Sequence, residues 1–337
     1  MLLSIDLPKV PIHDYRVAGM LGYQRDASDR AERVMDTVLA GMGRTGKVGR
    51  LFLPIADRMA DKRLTMMMDP YQTEVRAIRR WIGRAGPIAF NLSYEFGCTA
   101  RAYDGKEPML FRTLDWPFEG IGAMVEIVLL PGDAGDWITA TWPGVVGCLQ
   151  GAAPGRFAAA LNQAPERIKG GRARSWLTAK RRVLKGSGMA PAHLLRQVFE
   201  TAPDYSTAVD MLMRTPVAVP VIYTIAGHNP GEACTIERTE TNWAAPSAPA
   251  AANHFVTELG HTSPWRPRGY DSAGRRDAIL ADDDPPMHDA LEPPILNPLT
   301  RLAVTASSAG DITVTGYEGA RQVTAPTSAD AFGAGVD

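Results

Sequence analysis

GCTARAYDGKEPMLFRTLDWPF, residues 97–118, is the stretch of sequence that decides the predicted fold. Its two short apolar runs, CTARAY and PMLFRTLDW, are separated by the turn-forming residues Asp104 and Gly105. Apolar runs of this length, bounded by turn residues, are typical of β-strands. The first strand is therefore expected to begin at Cys98, between a glycine and a threonine, and the second to end near Asp115.

Blocks of strands and helices extend outward from this segment. Further strand-like runs are AMVEIVLLPG (123–132), WITATWPGVVGCLQG (137–151), RFAAALNQAP (156–165), VIYTIAG (221–227), ACTIERTET (233–241) and the hairpin RLAVTASSAGDITVTGY (301–317). Helical spacing of apolar residues marks SDRAERVMDTVLAGM (28–42), QTEVRAIRRWIGRAG (72–86) and PAHLLRQVFETAPDYSTAVDMLMRTP (191–216). The first hundred residues are thus predicted to be mainly helical. Strands, then helices, then strands favour antiparallel sheets covered by helices.

Composition and charge exclude several classes of protein. The 337 residues carry 36 Lys and Arg against 37 Asp and Glu, so no overall field favours nucleic acid or an anionic membrane. Three widely spaced cysteines, Cys98, Cys148 and Cys234, match neither a disulfide framework nor a zinc motif, and we expect the last two to be core residues. The chain shows no signal-like start and no apolar run of about 18 residues. We therefore expect a cytoplasmic protein without a membrane span.

The segment around Cys98 resembles the cysteine-nucleophile branch of the N-terminal nucleophile (Ntn) hydrolases. This branch includes choloylglycine hydrolases, acid ceramidase, N-acylethanolamine acid amidase and the penicillin acyltransferases. In its pattern a Cys-Thr pair opens a strand and the next strand ends in Arg-x-x-Asp. Here those residues are Cys98, Thr99, Arg112 and Asp115.

Two later blocks extend the resemblance. TWPGVVGCLQGAAPGRFAAALNQAP (141–165) is similar to the family's glycine-rich strand pair ending in Leu-Asn, which marks Asn162. NHFVTELGHTSPWRPRGYDSAGRR (253–276) is similar to a later segment that marks Asn253 and Arg275. The three blocks occur in the family's order and, with the following strands, cover roughly residues 90–316.

The resemblance implies a fold and a division of the chain. The fold is the α+β four-layer αββα sandwich of Ntn hydrolases, with antiparallel sheets. Residues 98–337 form the catalytic domain, and residues 1–97 form a helical segment that is cut off by self-cleavage at the Gly97–Cys98 bond and stays associated. The expected activity is hydrolysis of linear N-acyl amides through a thioester on Cys98. No metal or cofactor is required, the partner is the small-molecule substrate, and a homo-oligomer is left open.

Each predicted site residue has a role that its chemistry explains. Arg112, expected opposite Cys98, would lower the pKa of the thiol, and the freed α-amine of Cys98 would act as the base. Asp115 would orient that amine or the thiol. Oxyanion stabilisation is assigned to the side-chain amides of Asn162 and Asn253. Arg275 is the last of the predicted catalytic residues. Further expected residues of the site are three aromatic ones that either line an acyl pocket or belong to the core: Trp116, Phe118 and Trp142.

Other interpretations of the same residues stay open. Arg112 and Asp115 are also consistent with an ordinary ion pair at a strand end, and Cys98 with a small core residue. An acyltransferase would use the same thioester. A papain-like pair would instead combine Cys98 with a histidine, for which the candidates are His228, His254 and His261. The basic stretch ERIKGGRARSWLTAKRRVLK (166–185) is typical either of a polyanion-binding protein or, as the balanced charge favours, of a solvated surface.

Overall fold

The structure, a computed structural model, describes residues 7–41, 43–92, 96–168, 170–171 and 188–332, with the backbone alone for residues 43–49. The helices are α1 (Gly19–Asp26), α2 (Ser28–Gly41), α3 (Gly43–Met66), α4 (Gln72–Ile82), α5 (Pro87–Asn91), α6 (Pro191–Thr201), α7 (Tyr205–Arg214) and α8 (Ser272–Ala281). None of the described helices combines the length and the apolar character that a membrane crossing needs.

Strands dominate the part of the described chain that follows Phe96. They are β1 (Ile12–Asp14), β2 (Gly97–Tyr103), β3 (Met109–Asp115), β4 (Glu126–Leu130), β5 (Trp137–Thr141), β6 (Gln150–Ala153), β7 (Phe157–Gln163), β8 (Glu166–Arg167), β9 (Val221–Ala226), β10 (Ala233–Arg238), β11 (Trp243–Ala244), β12 (Ala250–Ala251), β13 (Trp265–Arg266), β14 (Thr300–Ser307), β15 (Asp311–Glu318), β16 (Arg321–Gln322) and β17 (Thr327–Asp330). The strand patterns of the sequence, including the β14–β15 hairpin, are therefore confirmed.

Two large sheets contain almost all of these strands. The first has the order β1-β4-β5-β6-β7-β9-β10-β11, and the second has the order β12-β2-β3-β14-β15-β16, with β17 also paired to β15. Neighbouring strands in both sheets are antiparallel, except that β1 runs parallel to β4. The strand that carries Cys98 is flanked by β12 and β3 and begins one residue earlier than predicted, at Gly97.

The two sheets pack face to face, with helices on their outer faces. On β2 and β3, Cys98, Leu110 and Leu114 belong to the large core shared with the first sheet, whereas Tyr103 and Phe111 belong to a separate cluster with α8. This alternation follows from the two-residue period of a strand. Helices α6 and α7 cover the first sheet, and α8 covers β2 and β12 of the second. The predicted four-layer αββα arrangement with antiparallel sheets is confirmed.

The described residues up to Asn91 form five helices, α1 to α5, and one strand that the sequence pattern did not predict. Strand β1 adds to the edge of the first sheet, where Ile12 pairs with Ile127. An isolated run of three residues carries too weak a period to be recognised from sequence. The N-terminal segment thus extends the first sheet through β1, and its helices also pack against the large core. The division of the chain at the Gly97–Cys98 bond stays a prediction.

Candidate active site

Cys98 lies on β2 between the two sheets and is fully buried. Its Sγ accepts a hydrogen bond from Arg112 Nη2 at 3.0 Å and lies 4.0 Å from the backbone oxygen of Leu161 on β7. The predicted cross-strand opposition of Cys98 and Arg112 is wrong by two residues, since Cys98 pairs with Leu114 and Arg112 with Ala100. The long guanidinium side chain bridges this diagonal, which is within reach of such side chains on one face of a sheet.

Arg112 is itself completely buried. Besides the thiol, its Nη2 donates to the backbone oxygen of Leu161 at 3.1 Å. Within the described chain no carboxylate lies within ion-pair distance of Arg112, and its Nε and Nη1 have no hydrogen-bond partner. Burying a guanidinium without an anionic partner is costly. Cys98 Sγ is the group beside it that can supply a negative charge.

Two opposing effects act on the pKa of the Cys98 thiol. Burial raises this pKa, and the charge and hydrogen bond of Arg112 lower it. Burial has the larger effect, so the thiol pKa lies above its ordinary value. In the continuous chain, removal of the thiolate from water outweighs the one guanidinium. Arg112 still acts in the predicted direction.

Asn253 and Arg275 hold the backbone of Cys98. The N–H of Cys98 donates to Asn253 Oδ1 at 2.8 Å, and Arg275 Nη2 donates to the same oxygen at 2.8 Å. Arg275 Nη1 also donates to the backbone oxygen of Cys98 and to Thr99 Oγ1. Both peptide groups that flank the Cys98 Cα atom are therefore fixed by side chains from the segment that the third sequence block marked.

Asp115 lies on the opposite face of the second sheet from Cys98. It pairs with Gly97 across the strands, and its Oδ2 lies 3.3 Å from Arg275 Nη1. Asn297 Nδ2 and Thr300 Oγ1 each donate to this carboxylate at 3.0 Å. Burial raises the pKa of Asp115, and the Arg275 guanidinium beside it works in the other direction. Asp115 thus contacts Gly97, the residue before Cys98, and Arg275, which holds the backbone of Cys98. The orienting role of Asp115 stays a prediction.

Asn162 lies on β7, the strand that faces Cys98 from the first sheet. Its Nδ2 donates to the backbone oxygens of Ala251 and Ala252, both at 3.2 Å, and its buried Oδ1 has no hydrogen-bond partner among the described residues. Asn253 Nδ2 likewise donates to the backbone oxygen of Gln163, at 2.8 Å. In the continuous chain the side-chain amide donors of Asn162 and Asn253 are therefore engaged, and their oxyanion role stays a prediction.

A cavity of about 410 Å³ opens beside Gly97. Its lining combines charged and polar side chains with apolar ones and consists of Phe96, Gly97, Asp115, Pro117, Gln163, Glu166, Arg266, Arg268, Gly269 and Leu299. Pocket residues such as Gln163, Arg268 and Gly269 come from loops and strand ends, where no period in the sequence indicates a shared site. Gly97, the residue before Cys98, therefore borders this cavity although Gly97 and Cys98 are both buried.

The aromatic residues predicted to line an acyl pocket pack against one another instead of lining this cavity. Trp116 stacks on Phe90 and makes an edge contact with Trp142. Phe118 also packs against the Trp116 ring. Trp142 is fully buried, and its Nε1 donates to the backbone oxygen of Ile121 at 2.7 Å. Trp116 and Trp142 belong to the large core, and the acyl-pocket role of the three residues stays a prediction.

Comparison with known proteins gives relatives of one kind. No family model matches the chain. N-acylethanolamine-hydrolyzing acid amidase of Oryctolagus cuniculus is 25% identical over 246 residues, which are 70% of this chain and 66% of the relative. The same protein of Cavia porcellus is 25% identical over 228 residues, 64% of this chain and 62% of the relative. The predicted resemblance to the cysteine branch of the Ntn hydrolases is confirmed. The chain spans slightly less than two thirds of the length of these two relatives.

Solved structures are also similar to the chain. A Caenorhabditis elegans N-acylethanolamine-hydrolyzing acid amidase ortholog has a TM-score of 0.44 and 17% identity, covering 64% of this chain and 93% of the other. A variant of conjugated bile acid hydrolase from Clostridium perfringens has a TM-score of 0.41 and 11% identity, covering 69% of this chain and 92% of the other.

Among the described residues, none of the three candidate histidines is hydrogen-bonded to the Cys98 thiol. His228 Nδ1 is hydrogen-bonded to Ser308 and His254 Nδ1 to Ser272, and His261 is exposed. A papain-like pair is therefore not formed in this structure. Burial raises the pKa of Cys148 to about 12, as expected for a core residue, whereas Cys234 is only partly buried at the edge of the core.

Most of the basic stretch 166–185 lies outside the described residues, because these include neither residue 169 nor residues 172–187. The polyanion interpretation of that stretch stays a prediction. The sequence showed no metal motif, and within the described ranges no group of three or more His, Cys, Asp or Glu side chains is placed to hold a metal ion.

Proposed function

We propose that the chain is a hydrolase of linear N-acyl amides whose nucleophile is Cys98, made N-terminal by self-cleavage of the Gly97–Cys98 bond. The observation that carries the proposal is the 3.0 Å hydrogen bond from the buried Arg112 guanidinium to Cys98 Sγ. A cation without a carboxylate partner among the described residues stabilises the thiolate, which is the nucleophilic form of cysteine. The names of the relatives support amide hydrolysis as the reaction.

Self-cleavage uses the same thiol. Sγ forms a bond to the Gly97 carbonyl carbon, the C–N bond to Cys98 breaks, and the thiol proton goes to the Cys98 nitrogen. Water then hydrolyses the thioester, which gives a carboxylic acid at Gly97 and restores the thiol. Arg112 assists by stabilising negative charge on the sulfur, and Asn253 holds the N–H of the scissile bond.

The new α-amine of Cys98 is the base for substrate turnover. The ordinary pKa of such a group is about 7.7 to 8.0, which suits a general base near neutral pH. Arg275 donates to the backbone oxygen of Cys98, so its charge lies close to the new amine and disfavours the ammonium form. A substrate amide is attacked by Sγ, its amine leaves with a proton from the Cys98 ammonium, and water activated by the free α-amine hydrolyses the thioester.

Mass spectrometry tests this function directly. Purified protein is incubated briefly with N-acyl amides of fatty, bile-acid and small aryl acyl groups, and peptides that contain Cys98 are examined for acylation. We expect an adduct with at least one acyl class and its absence in Cys98→Ala. Release of free acid marks a hydrolase, and transfer to an added amine marks an acyltransferase. A free, alkylatable Cys98 that no acyl class labels would contradict the proposal.

A further inference from the structure

The residues on both sides of Gly97 are held by side-chain oxygens. The N–H of Phe96 donates to Gln163 Oε1 at 2.9 Å, and the N–H of Cys98 donates to Asn253 Oδ1 at 2.8 Å. These two side chains are linked, because Asn253 Nδ2 donates to the backbone oxygen of Gln163 at 2.8 Å. Gln163 and Asn253 therefore form an amide clamp around the scissile bond.

Gly97, between the two clamped N–H groups, has little lateral freedom. A β-carbon on Gly97 would lie 3.2 Å from the Asp115 Cβ atom and 3.2 Å from the Gly269 Cα atom. Gly269 itself has a φ of +70°, and a β-carbon there would lie 2.8 Å from Arg275 Nη2. The clamp and this close approach together restrict the direction of the Gly97 carbonyl.

The two halves of the clamp differ in what they hold after cleavage. Asn253 contacts Cys98, which remains in the site as the nucleophile. Gln163 contacts Phe96, which belongs to the released segment and loses its covalent tie to the nucleophile once the bond is cut. Before cleavage this contact acts on the scissile bond through the continuous chain, whereas after cleavage it only joins the two fragments.

We propose that Gln163 is a positioning residue for self-cleavage, which acts through its side-chain oxygen on the N–H of Phe96. The proposal rests on the proposed function. Fixing the N–H of Phe96 limits the path by which the chain enters Gly97, and the hydrogen bond to the N–H of Cys98 limits the path by which it leaves, so the approach of the Gly97 carbonyl carbon to Sγ is restricted from both sides. Misplacement of reacting atoms by about 1 Å can cost on the order of 100-fold in rate.

The test compares Gln163→Leu, which removes the acceptor at similar size, with Gln163→Glu, which keeps a carbonyl oxygen there. Gln197→Leu on α6 is the matched control. Freshly synthesised full-length chains are followed on denaturing gels for fragments 1–97 and 98–337, and turnover of an N-acyl amide is measured per cut chain. For Gln163→Leu we expect self-cleavage slowed roughly 10- to 100-fold, a larger loss than that of turnover per cut chain. Gln163→Glu and the control should cut nearly normally.

The outcomes separate this proposal from the function on which it rests. A wild-type chain that never cuts overturns both. A wild type that cuts while Gln163→Leu cuts equally fast overturns the clamp alone. Equal losses of cleavage and of turnover per cut chain, without rescue by Gln163→Glu, would make Gln163 a structural residue. Thermal melting in a Cys98→Ala background, where both chains are uncut, measures any loss of stability from Gln163→Leu separately.

Discussion

Arg112 Nη2 lies 3.0 Å from Cys98 Sγ although the two residues are not cross-strand partners. The diagonal places the guanidinium between the sheets, where its Nη2 also reaches the backbone oxygen of Leu161 on the facing sheet. One nitrogen thus ties the thiol to both sheets. Any shift of β7 relative to β2 would change the charge environment of the Cys98 thiol.

The pH dependence of alkylation is the first prediction. Because burial raises the pKa of Cys98 and Arg112 lowers it, removal of the guanidinium should leave burial unopposed. The thiolate fraction at a given pH then falls, and the curve of alkylation rate against pH moves to higher pH. We expect Arg112→Gln to slow iodoacetamide labelling of Cys98 at pH 7.5 by about tenfold or more, and Arg112→Lys to slow it less. Unchanged labelling rates in folded Arg112→Gln would contradict the role.

The second prediction concerns space at residue 97. A β-carbon at Gly97 meets Asp115 and Gly269 at 3.2 Å, whereas a β-carbon at Gly105 has no heavy atom within 4 Å. We therefore expect Gly97→Val to slow self-cleavage by about tenfold or more, since the scissile carbonyl must move, and Gly105→Val to cut normally. Denaturing gels of the two variants over time give the comparison. Equal cleavage in both variants would mean that the crowding at Gly97 has no bearing on the reaction.

Apolar runs in the sequence predicted the strands well, because such runs report burial directly, whereas the order of the layers followed from the family resemblance. Strands β2 and β3 begin and end within a residue of their expected limits, and the pattern that marked Cys98, Arg112 and Asp115 brings the three into one region. The three-residue strand β1 was missed, since it has no period of its own and depends on its partner β4.

The contacts that the sequence could not supply are those set by register and loops. Nothing in the spacing of Cys98 and Arg112 distinguishes direct from diagonal pairing, which depends on the length of the connecting turn. Asn297 and Thr300, which bind Asp115, lie at the end of a proline-rich loop where no pattern points to the site. The net pKa of Cys98 depends on burial, a tertiary quantity that its neighbours in sequence do not determine.

A third prediction is a loss of stability in acid caused by His288. This side chain is buried between Thr305 and Thr315, and burial lowers its pKa to about 4. Between pH 6.5 and 4 the unfolded chain binds a proton that the folded chain does not, so stability is lost as the pH falls through this window. The expected contribution is about 3 kcal/mol at pH 4.

Urea unfolding at pH 7, 5.5 and 4 measures this contribution. Wild type and His288→Gln are compared in the Cys98→Ala background so that both chains are uncut. The free energy of unfolding should fall more steeply in the chain that keeps His288, because other acid-titrating groups are common to both. Parallel pH profiles for the two proteins would show that His288 is not the acid-sensitive group.

The last prediction is that the fragment 1–97 stays bound after cleavage through a buried polar network. Asp69 is hydrogen-bonded to His193 Nδ1 at 2.8 Å, and Glu74 forms an ion pair with Arg196. Tyr71 donates to Glu200 at 2.6 Å. Acceptors and donors on the N-terminal side thus meet partners on α6, in addition to the pairing of β1 with β4.

Arg196 is the residue in this network whose loss should matter most. It lies nine-tenths or more out of solvent and bridges Glu74 from the first fragment to Glu200 from the second. Removing one partner of a buried ion pair costs about 3–5 kcal/mol, and about 3 kcal/mol corresponds to on the order of 100-fold in affinity. We expect native mass spectrometry to show both fragments of the cut wild type together, and Arg196→Met to release fragment 1–97.

The exposed pair of Arg214 and Asp210 supplies the control, since Arg214→Met removes an arginine ion pair within one fragment and should leave the complex intact. Spontaneous separation of the wild-type fragments, or equal retention in both variants, would show that this network does not hold the segment.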